Sequence, residues 1–273
     1  MRTIETMPRL RRPDGAEIEW WVEGEEGPLV AITLMALHPP SVCAPLVGEL
    51  ASDHRVLGYD LRGTGGSSRV GPYDIETDAA DLTALVEEAG GDALVVALGD
   101  GARRAVRAAA ERPDLVHTVV VSGEFPLGRV GDPGSHDALA NSRAVLDALL
   151  GLLATDYRAG LRTMMASSGE VQWHERALRE RLDAMETHSP AEVGVPRIRS
   201  WVEDDSYGAG RAVGDRLWYL HYPGNAWFQG SLEIVRRSLP EAKCEAVSDG
   251  VINSPEENAM AIRRILAARQ AHA

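Results

Sequence analysis

The sequence predicts an α/β fold: a mostly parallel, doubly wound sheet interrupted by an inserted helical cap. Three observations predict it. Short, fully apolar runs such as Ala93 to Leu98 and Val116 to Val121 alternate with helical segments, the pattern of strands buried on both faces. Glycine-rich corners separate strand from helix, as at Gly99-Asp100-Gly101. Between about Leu127 and Gly214 the pattern is helical throughout, and alternation with strands resumes only at Leu217.

Taken in order, Pro13-Asp14-Gly15 reads as a turn, Ile18 to Val22 as a strand, Gly24 to Pro28 as a second turn and Leu29 to Leu34 as a buried strand. Arg55 to Tyr59 is another apolar run. The stretch Asp60-Leu61-Arg62-Gly63-Thr64-Gly65-Gly66-Ser67 behind it is too rich in glycine to continue as strand or helix. Thr77 to Gly90 places Ala80, Leu82, Leu85, Val86 and Ala89 on one stripe between a threonine start and a glycine stop, which predicts an amphipathic helix. Ala102 to Arg112 is a second helix, ended by Pro113. The insertion carries helical patterns at Asp137 to Leu153, Tyr157 to Ser167 and Trp173 to Met185, with Pro190 and Pro196 as breaks. After it come a strand at Leu217 to His221, a helix at Ala226 to Ser238, a short strand at Cys244 to Val247 and a last helix at Pro255 to Ala268.

A chain of 273 residues lies at the upper edge of what one hydrophobic core supports. One domain with an insertion is expected: a core of residues 1–126 and 213–273 carrying a helical cap at 127–212. The formal charge is −13, and the basic residues, all arginine except Lys243, are scattered, which disfavours nucleic acid as a partner. The longest nearly apolar run, Leu29 to Leu37, is about half of what a membrane span requires. The first residues carry no apolar secretory stretch. Cys43 and Cys244 fall outside any CxxC spacing, so no zinc site or disulfide framework is expected, although one bond between the two stays open. A reduced, cytoplasmic setting follows. The loop Asp60 to Ser67 has a superficial likeness to a phosphate loop, but no Gly-Lys-Ser/Thr opens a helix there, so neither a nucleotide nor any other cofactor is expected. Asp60 and Arg62 are expected to set the turn by hydrogen bonds and an ion pair.

The opening PDGAEIEWWVEGEEGPLV, the loop YDLRGTGGSS, the corner ALGDGARRAVRAAAERPDLVHTVVVSG, the helical insertion and the final SPEENAMAIRRIL together resemble the α/β-hydrolase superfamily over nearly the whole chain. The resemblance implies a nucleophile in a strained turn flanked by small residues. That pattern falls on Ala97-Leu98-Gly99-Asp100-Gly101, so the nucleophile position carries Gly99, which has no side chain. A register one residue later makes Asp100 the nucleophile, as in the dehalogenase and epoxide-hydrolase branches, but puts Leu98 where a small residue is needed. The plainer reading of Asp100 is a first-turn carboxylate favoured by the helix N-terminus. The triad acid would fall on Asn225 in His221-Tyr222-Pro223-Gly224-Asn225, where asparagine is equally good turn chemistry. The triad histidine would fall at Ser248 or Asp249, and Asp249 is either a carboxylate base or a turn residue. The oxyanion donors implied are the backbone amides of Met35 and Asp100. His38, on the loop after Leu34, is a candidate acid or base set against the reading of a solvated loop histidine.

The simultaneous departure at three positions predicts an atypical member without the catalytic triad. It would bind a hydrophobic small molecule or modified peptide under the cap and run non-hydrolytic, substrate-assisted chemistry: isomerisation, elimination or cyclisation in secondary metabolism. In this it is similar to atypical members such as a bottromycin epimerase that relies on groups of its own substrate. The acid–base candidates are Asp100, Asp249 and His38, and no metal is implied. Trp173, Trp201, Trp218, Trp227, Met164 and Met165 are candidates for the pocket lining. Two alternatives stand beside this: a non-catalytic small-molecule binding protein, and a hydrolase using Asp100 covalently. The chain is expected as a monomer or homodimer, without membrane or nucleic-acid partners.

Overall fold

The computed structural model describes residues 7–123, 127–128, 143–167, 175–224 and 226–270, with side chains described except at 143, 144, 166, 167, 226–230 and 270. Its strands are β1 (Arg9–Arg11), β2 (Glu17–Glu23), β3 (Leu29–Thr33), β4 (Arg55–Tyr59), β5 (Ala93–Leu98), β6 (Val116–Ser122), β7 (Leu217–His221) and β8 (Lys243–Ala246). They form one sheet in the order β1-β2-β4-β3-β5-β6-β7-β8. β1 and β2 run antiparallel, as do β2 and β4, and every later pair is parallel.

The helices are α1 (Ala44–Leu50), α2 (Ile75–Glu88), α3 (Gly101–Glu111), α4 (Arg143–Thr155), α5 (Tyr157–Ser167), α6 (Glu175–His188), α7 (Ala191–Glu203), α8 (Tyr207–Val213), α9 (Ala226–Ser238) and α10 (Pro255–Gln270). The central strands are apolar without interruption because both of their faces are covered. In β5, Ala93, Val95 and Ala97 enter one apolar cluster with Leu82 and Leu85 of α2 and Ala102 and Ala105 of α3. Leu94, Val96 and Leu98 point the other way, into a cluster with Leu46 of α1 and Ile262 of α10. A third cluster, Leu146, Leu149, Leu153, Leu161, Leu182, Met185, Ile198 and Val202, lies within the helices between β6 and β7 and takes in one outsider, Leu37.

Several elements differ from expectation. α2 starts at Ile75, because the Asp74 carboxylate accepts from Thr77 N at 2.7 Å and so caps the helix two residues before the expected threonine. Pro196 does not break a helix but sits inside α7. Its neighbours Val193, Arg197, Ile198 and Val202 are all buried, and that packing outweighs one lost backbone hydrogen bond. α1 was hidden in the sequence by the prolines around it.

The glycine-rich loop also differs. Asp60 and Arg62 do not pair with each other: Arg62 is fully buried and donates to Asp81 through Nε and Nη2, both at 2.9 Å, and to Asp14 through Nη1. Asp60 instead accepts from Gly66 N at 2.7 Å. The loop binds the inserted helices as well, with Gly65 N donating to His188 O at 2.9 Å and Arg197 Nη2 to Arg62 O at 2.5 Å. Cys43 and Cys244 are free thiols. No helix among the described residues is long and apolar enough to cross a membrane.

Candidate active site at the strand ends

The register brings Thr33 beside Ala97, Leu98 beside Ser122, and Ser122 beside Leu220, so the carboxyl ends of β3, β5, β6 and β7 form one edge. Ligands of open α/β sheets bind at such an edge. Its sharpest feature is the corner from β5 into α3. Gly99 is its left-handed residue, with φ +54, whereas Asp100 is right-handed at φ −62, ψ −13. The apex of the turn is therefore Gly99. A Cβ at Gly101 would lie 2.6 Å from Thr33 O, so the first turn of α3 can approach β3 only without a side chain there.

Above the apex lies Met35. A Cβ built on Gly99 would stand 2.7 Å from Met35 Cγ and 3.5 Å from its sulfur. The volume into which a side chain at the apex would project is thus filled by a thioether from the loop after β3. Among the described residues, no hydrogen bond from the amide of Met35 or of Asp100 finds an acceptor. The Asp100 carboxylate is engaged on both oxygens: Oδ1 accepts from Ala36 N at 3.0 Å and Oδ2 from Arg104 Nη1 at 3.1 Å. It bridges the loop after β3 to α3 rather than capping its own helix.

Arg104, fully buried, completes the brace by donating through Nε to Thr33 Oγ1 at 2.9 Å and through Nη2 to Leu34 O. Beneath it, Asp78 is 3.8 Å from Arg104 Nη1 and bonded to Arg197 of α7. Burial pushes the Asp78 carboxyl up against the opposing pull of Arg197 and then Arg104. Neither Arg104 nor Arg197 was singled out from the sequence. The Asp100–Arg104 spacing of four was readable, but nothing in an alanine-rich helix shows which arginine faces inward.

Asn225 lies outside the described residues. Near it, Tyr222 just after β7 is buried, its hydroxyl 2.5 Å from Ser122 Oγ and 3.1 Å from where a Cβ on Gly250 would be. Ser122 Oγ lies 3.5 Å from Asn258 Oδ1, and Asn258 Nδ2 donates to Asp249 O at 2.9 Å and Ser254 O at 2.8 Å. This chain of hydroxyl and amide groups pins the loop after β8 to the sheet. Ser248 is exposed and donates to Glu257 through both N, at 2.9 Å, and Oγ. The Asp249 carboxylate accepts from Gly250 N at 2.7 Å and Asn253 Nδ2 at 3.1 Å. Ser122, Tyr222 and Asn258 carried no signal in the sequence, because each is an ordinary residue type brought in by the register.

His38 is half-buried under the inserted helices, with its Nδ1 closed to solvent and without a partner among the described residues. Burial first, then the charges of Arg181 and His188, hold the ring down to about 3, so it is neutral at pH 7. Met164, Met165 and Trp201 pack half-buried against the third apolar cluster. Trp218 packs instead against the sheet cluster that includes α10, with Lys243 Nζ 5.4 Å from its ring centre. Trp173 lies outside the described residues, as does the side chain of Trp227. A groove on α7, lined by Val195, Pro196, Arg199, Ser200 and Glu203, takes no residue from the strand ends. Among the described residues, no group of three or more histidine, cysteine or acidic side chains is placed to hold a metal.

This architecture can be set beside known proteins. A family model described as the alpha/beta hydrolase family matches residues 37–252. The chain belongs to the alpha/beta hydrolase family. Among solved structures, this hydrolase-family chain is similar to a bromoperoxidase from Bacillus anthracis, with a TM-score of 0.76 at 20% identity over 93% of this chain and 96% of that one. It is similar to an alpha/beta hydrolase from Sphaerobacter thermophilus DSM 20745, with a TM-score of 0.75 at 21% identity over 95% and 100%. An enol-lactonase from Burkholderia xenovorans LB400 gives a TM-score of 0.74 at 19% identity over 95% and 100%. A search of curated proteins gave no match. At these identities the neighbours share the hydrolase fold.

Proposed function

We infer that this chain uses the hydrolase scaffold without an acyl-enzyme. It holds a hydrophobic small molecule or modified peptide between the strand ends and a helical cap at 127–212. There it promotes isomerisation, elimination or cyclisation assisted by groups of the substrate, within secondary metabolism and in a reducing cytoplasm. The observation that carries this reading is the pair Gly99 and Met35: the apex of the turn has no attacking atom, and its volume is filled.

What the residues offer is orientation and dipoles. The Met35 and Asp100 amides are free to donate to a developing negative oxygen once the flexible Met35 side chain swings aside. The brace of Asp100 and Arg104 holds both loops still. Asp100 and Asp249 have both carboxylate oxygens hydrogen-bonded within the protein, which supports leaving the proton transfers to substrate groups. The same fact weighs against Asp100 as a covalent nucleophile. It also lends support to a second reading, binding without turnover.

Intact-mass analysis after incubation with a fluorophosphonate, an alkyl halide and an epoxide tests the reading. No adduct is expected from any of them. A stoichiometric adduct on Asp100 or on any serine overturns it. Recovery of a tightly bound ligand unchanged after long incubation selects the second reading.

A further inference from the structure

The sequence contains three Asp-Gly pairs: Asp14-Gly15, Asp100-Gly101 and Asp249-Gly250. In such a pair the glycine amide can attack the carboxyl carbon of the aspartate side chain, because glycine places no Cβ beside the nitrogen. Where the fold puts that nitrogen and that carboxyl decides the outcome. Gly15 N donates to Arg12 O at 3.0 Å, and the Asp14 carboxylate is drawn off by Ala16 N at 3.1 Å and by the buried Arg62. Asp100 is helical at φ −62, ψ −13, and its two oxygens are held by Ala36 N and Arg104 Nη1.

Asp249-Gly250, in the loop after β8, is arranged differently. Gly250 N lies 2.7 Å from Asp249 Oδ1, and among the described residues it has no other acceptor. The carboxyl carbon is one bond beyond that oxygen. Asn253 Nδ2 holds the second oxygen at 3.1 Å, which fixes the carboxyl group in this orientation. The turn is fixed as well, because Gly250 O accepts from Asn253 N at 3.0 Å and from Ser254 N at 2.9 Å. The latter bond occupies the one amide that could attack the Asn253 side chain in the same way. Asp249 is half-buried, so solvent reaches it.

We propose that Asp249-Gly250 is a self-modification site, where the chain closes to a succinimide and reopens as isoaspartate. From the carboxylic acid form, a bond forms between Gly250 N and Asp249 Cγ and the Cγ–OH bond breaks; the amide proton and the hydroxyl leave as water. A second water then opens the ring. Its attack at Cγ restores aspartate, whereas attack at the main-chain carbonyl carbon routes the chain through Cβ and Cγ. In that product the former main-chain carbonyl, which accepts from Asn258 Nδ2 at 2.9 Å, becomes part of a free carboxylate. Negative charge thereby moves from the side facing Asn253 to the end of the Asn258–Ser122–Tyr222 chain at the strand ends. The step needs water alone and no ligand, so it stands apart from the functional reading above.

Peptide mapping of the full chain after prolonged incubation in mildly acidic heavy-oxygen water tests it. Ring opening marks a peptide with one heavy oxygen, and endoproteinase Asp-N no longer cuts at an isoaspartate. In the folded chain the Asp249 peptide is expected to convert at least about tenfold faster than the Asp14 and Asp100 peptides, a modest effect of proximity. In the urea-unfolded chain, where nothing places the groups, the three rates should fall within about threefold of one another. Asp249→Glu, which would have to close a larger ring, and Gly250→Ala, whose methyl group crowds the nitrogen, should each abolish conversion at this site. The glutamate variant carries the test if Gly250→Ala folds poorly, since a Cβ there stands 3.1 Å from the Tyr222 hydroxyl. Comparable rates at the three pairs in the folded chain, or conversion of Asp14 or Asp100 ahead of Asp249, overturns the proposal. So does an Asp249 peptide that stays unconverted in the folded chain while the unfolded chain converts, or a label at this site that survives Asp249→Glu.

Discussion

The buried guanidinium of Arg103 in α3 donates to both the carbonyl and the carboxylate of Asp204, at 2.8 and 3.0 Å. It also donates to Leu127 O at 3.2 Å and Gly128 O at 2.7 Å. One side chain thus ties the stretch after β6 to the turn between α7 and α8. Arg107, one turn later, reinforces Asp204 at 2.5 Å. Replacing Arg103 by methionine takes the guanidinium from four acceptors, of which Leu127 O keeps the Ser206 amide and the Asp204 carboxylate keeps Ser206 and Arg107, and is expected to cost about 3 kcal/mol in denaturant unfolding. Hydrogen exchange should rise first at Leu127–Gly128 and along α8.

Arg197 reaches from α7 to Asp78 and to Arg62 O in the core. Arg197→Met is expected to lower stability by about 3–5 kcal/mol, because a buried carboxyl loses its nearest cation. Adding Asp78→Leu should return part of that loss. A double-mutant cycle in urea reads the coupling, and strict additivity would argue against the pair as drawn.

At the corner, Gly99→Ala places a methyl group at φ +54 and against Met35. The backbone contribution is about 1 kcal/mol, and the contact adds to it. Met35→Ala in the same chain should relieve the steric part, visible as a rise in Tm over the single variant. Gly101→Ala should show no such rescue, since the atom it meets is the Thr33 carbonyl oxygen.

His117, on β6, supplies a pH test away from the site. Burial, then Arg269, lowers it to about 4, below an ordinary histidine near 6.5. The folded state therefore binds fewer protons than the unfolded state between those values. This contribution to stability is complete above pH 6.5 and is lost as the pH falls toward 4. His38 and His188 act with the same sign. The urea midpoint should fall between pH 7 and pH 5, and His117→Gln should remove about 2 kcal/mol of that loss of stability.

The sheet was legible because its strands are buried on both faces and so carry unbroken apolar runs, as in Ala93–Leu98 and Leu217–His221. The corner was legible because Gly99 and Gly101 have no substitute: one is left-handed and the other touches backbone. The electrostatic interior was not. Whether Arg62 pairs with Asp60 or Asp81 depends on where α2 lies across the loop, and Arg197 reaches Asp78 only because α7 continues through Pro196. Ser122 and Tyr222 meet across a strand pairing of β6 with β7 that no local pattern encodes.

The interior cations Arg62, Arg103, Arg104 and Arg197 are all guanidiniums. A guanidinium keeps its proton far into the alkaline range, where an amine would lose it. Beside these cations Tyr59, raised to about 12 by burial, stays a phenol. One side-chain amine remains in the whole sequence, the exposed Lys243 on the edge strand β8. Among side chains, reagents that acylate lysine would thus find one known point on the surface.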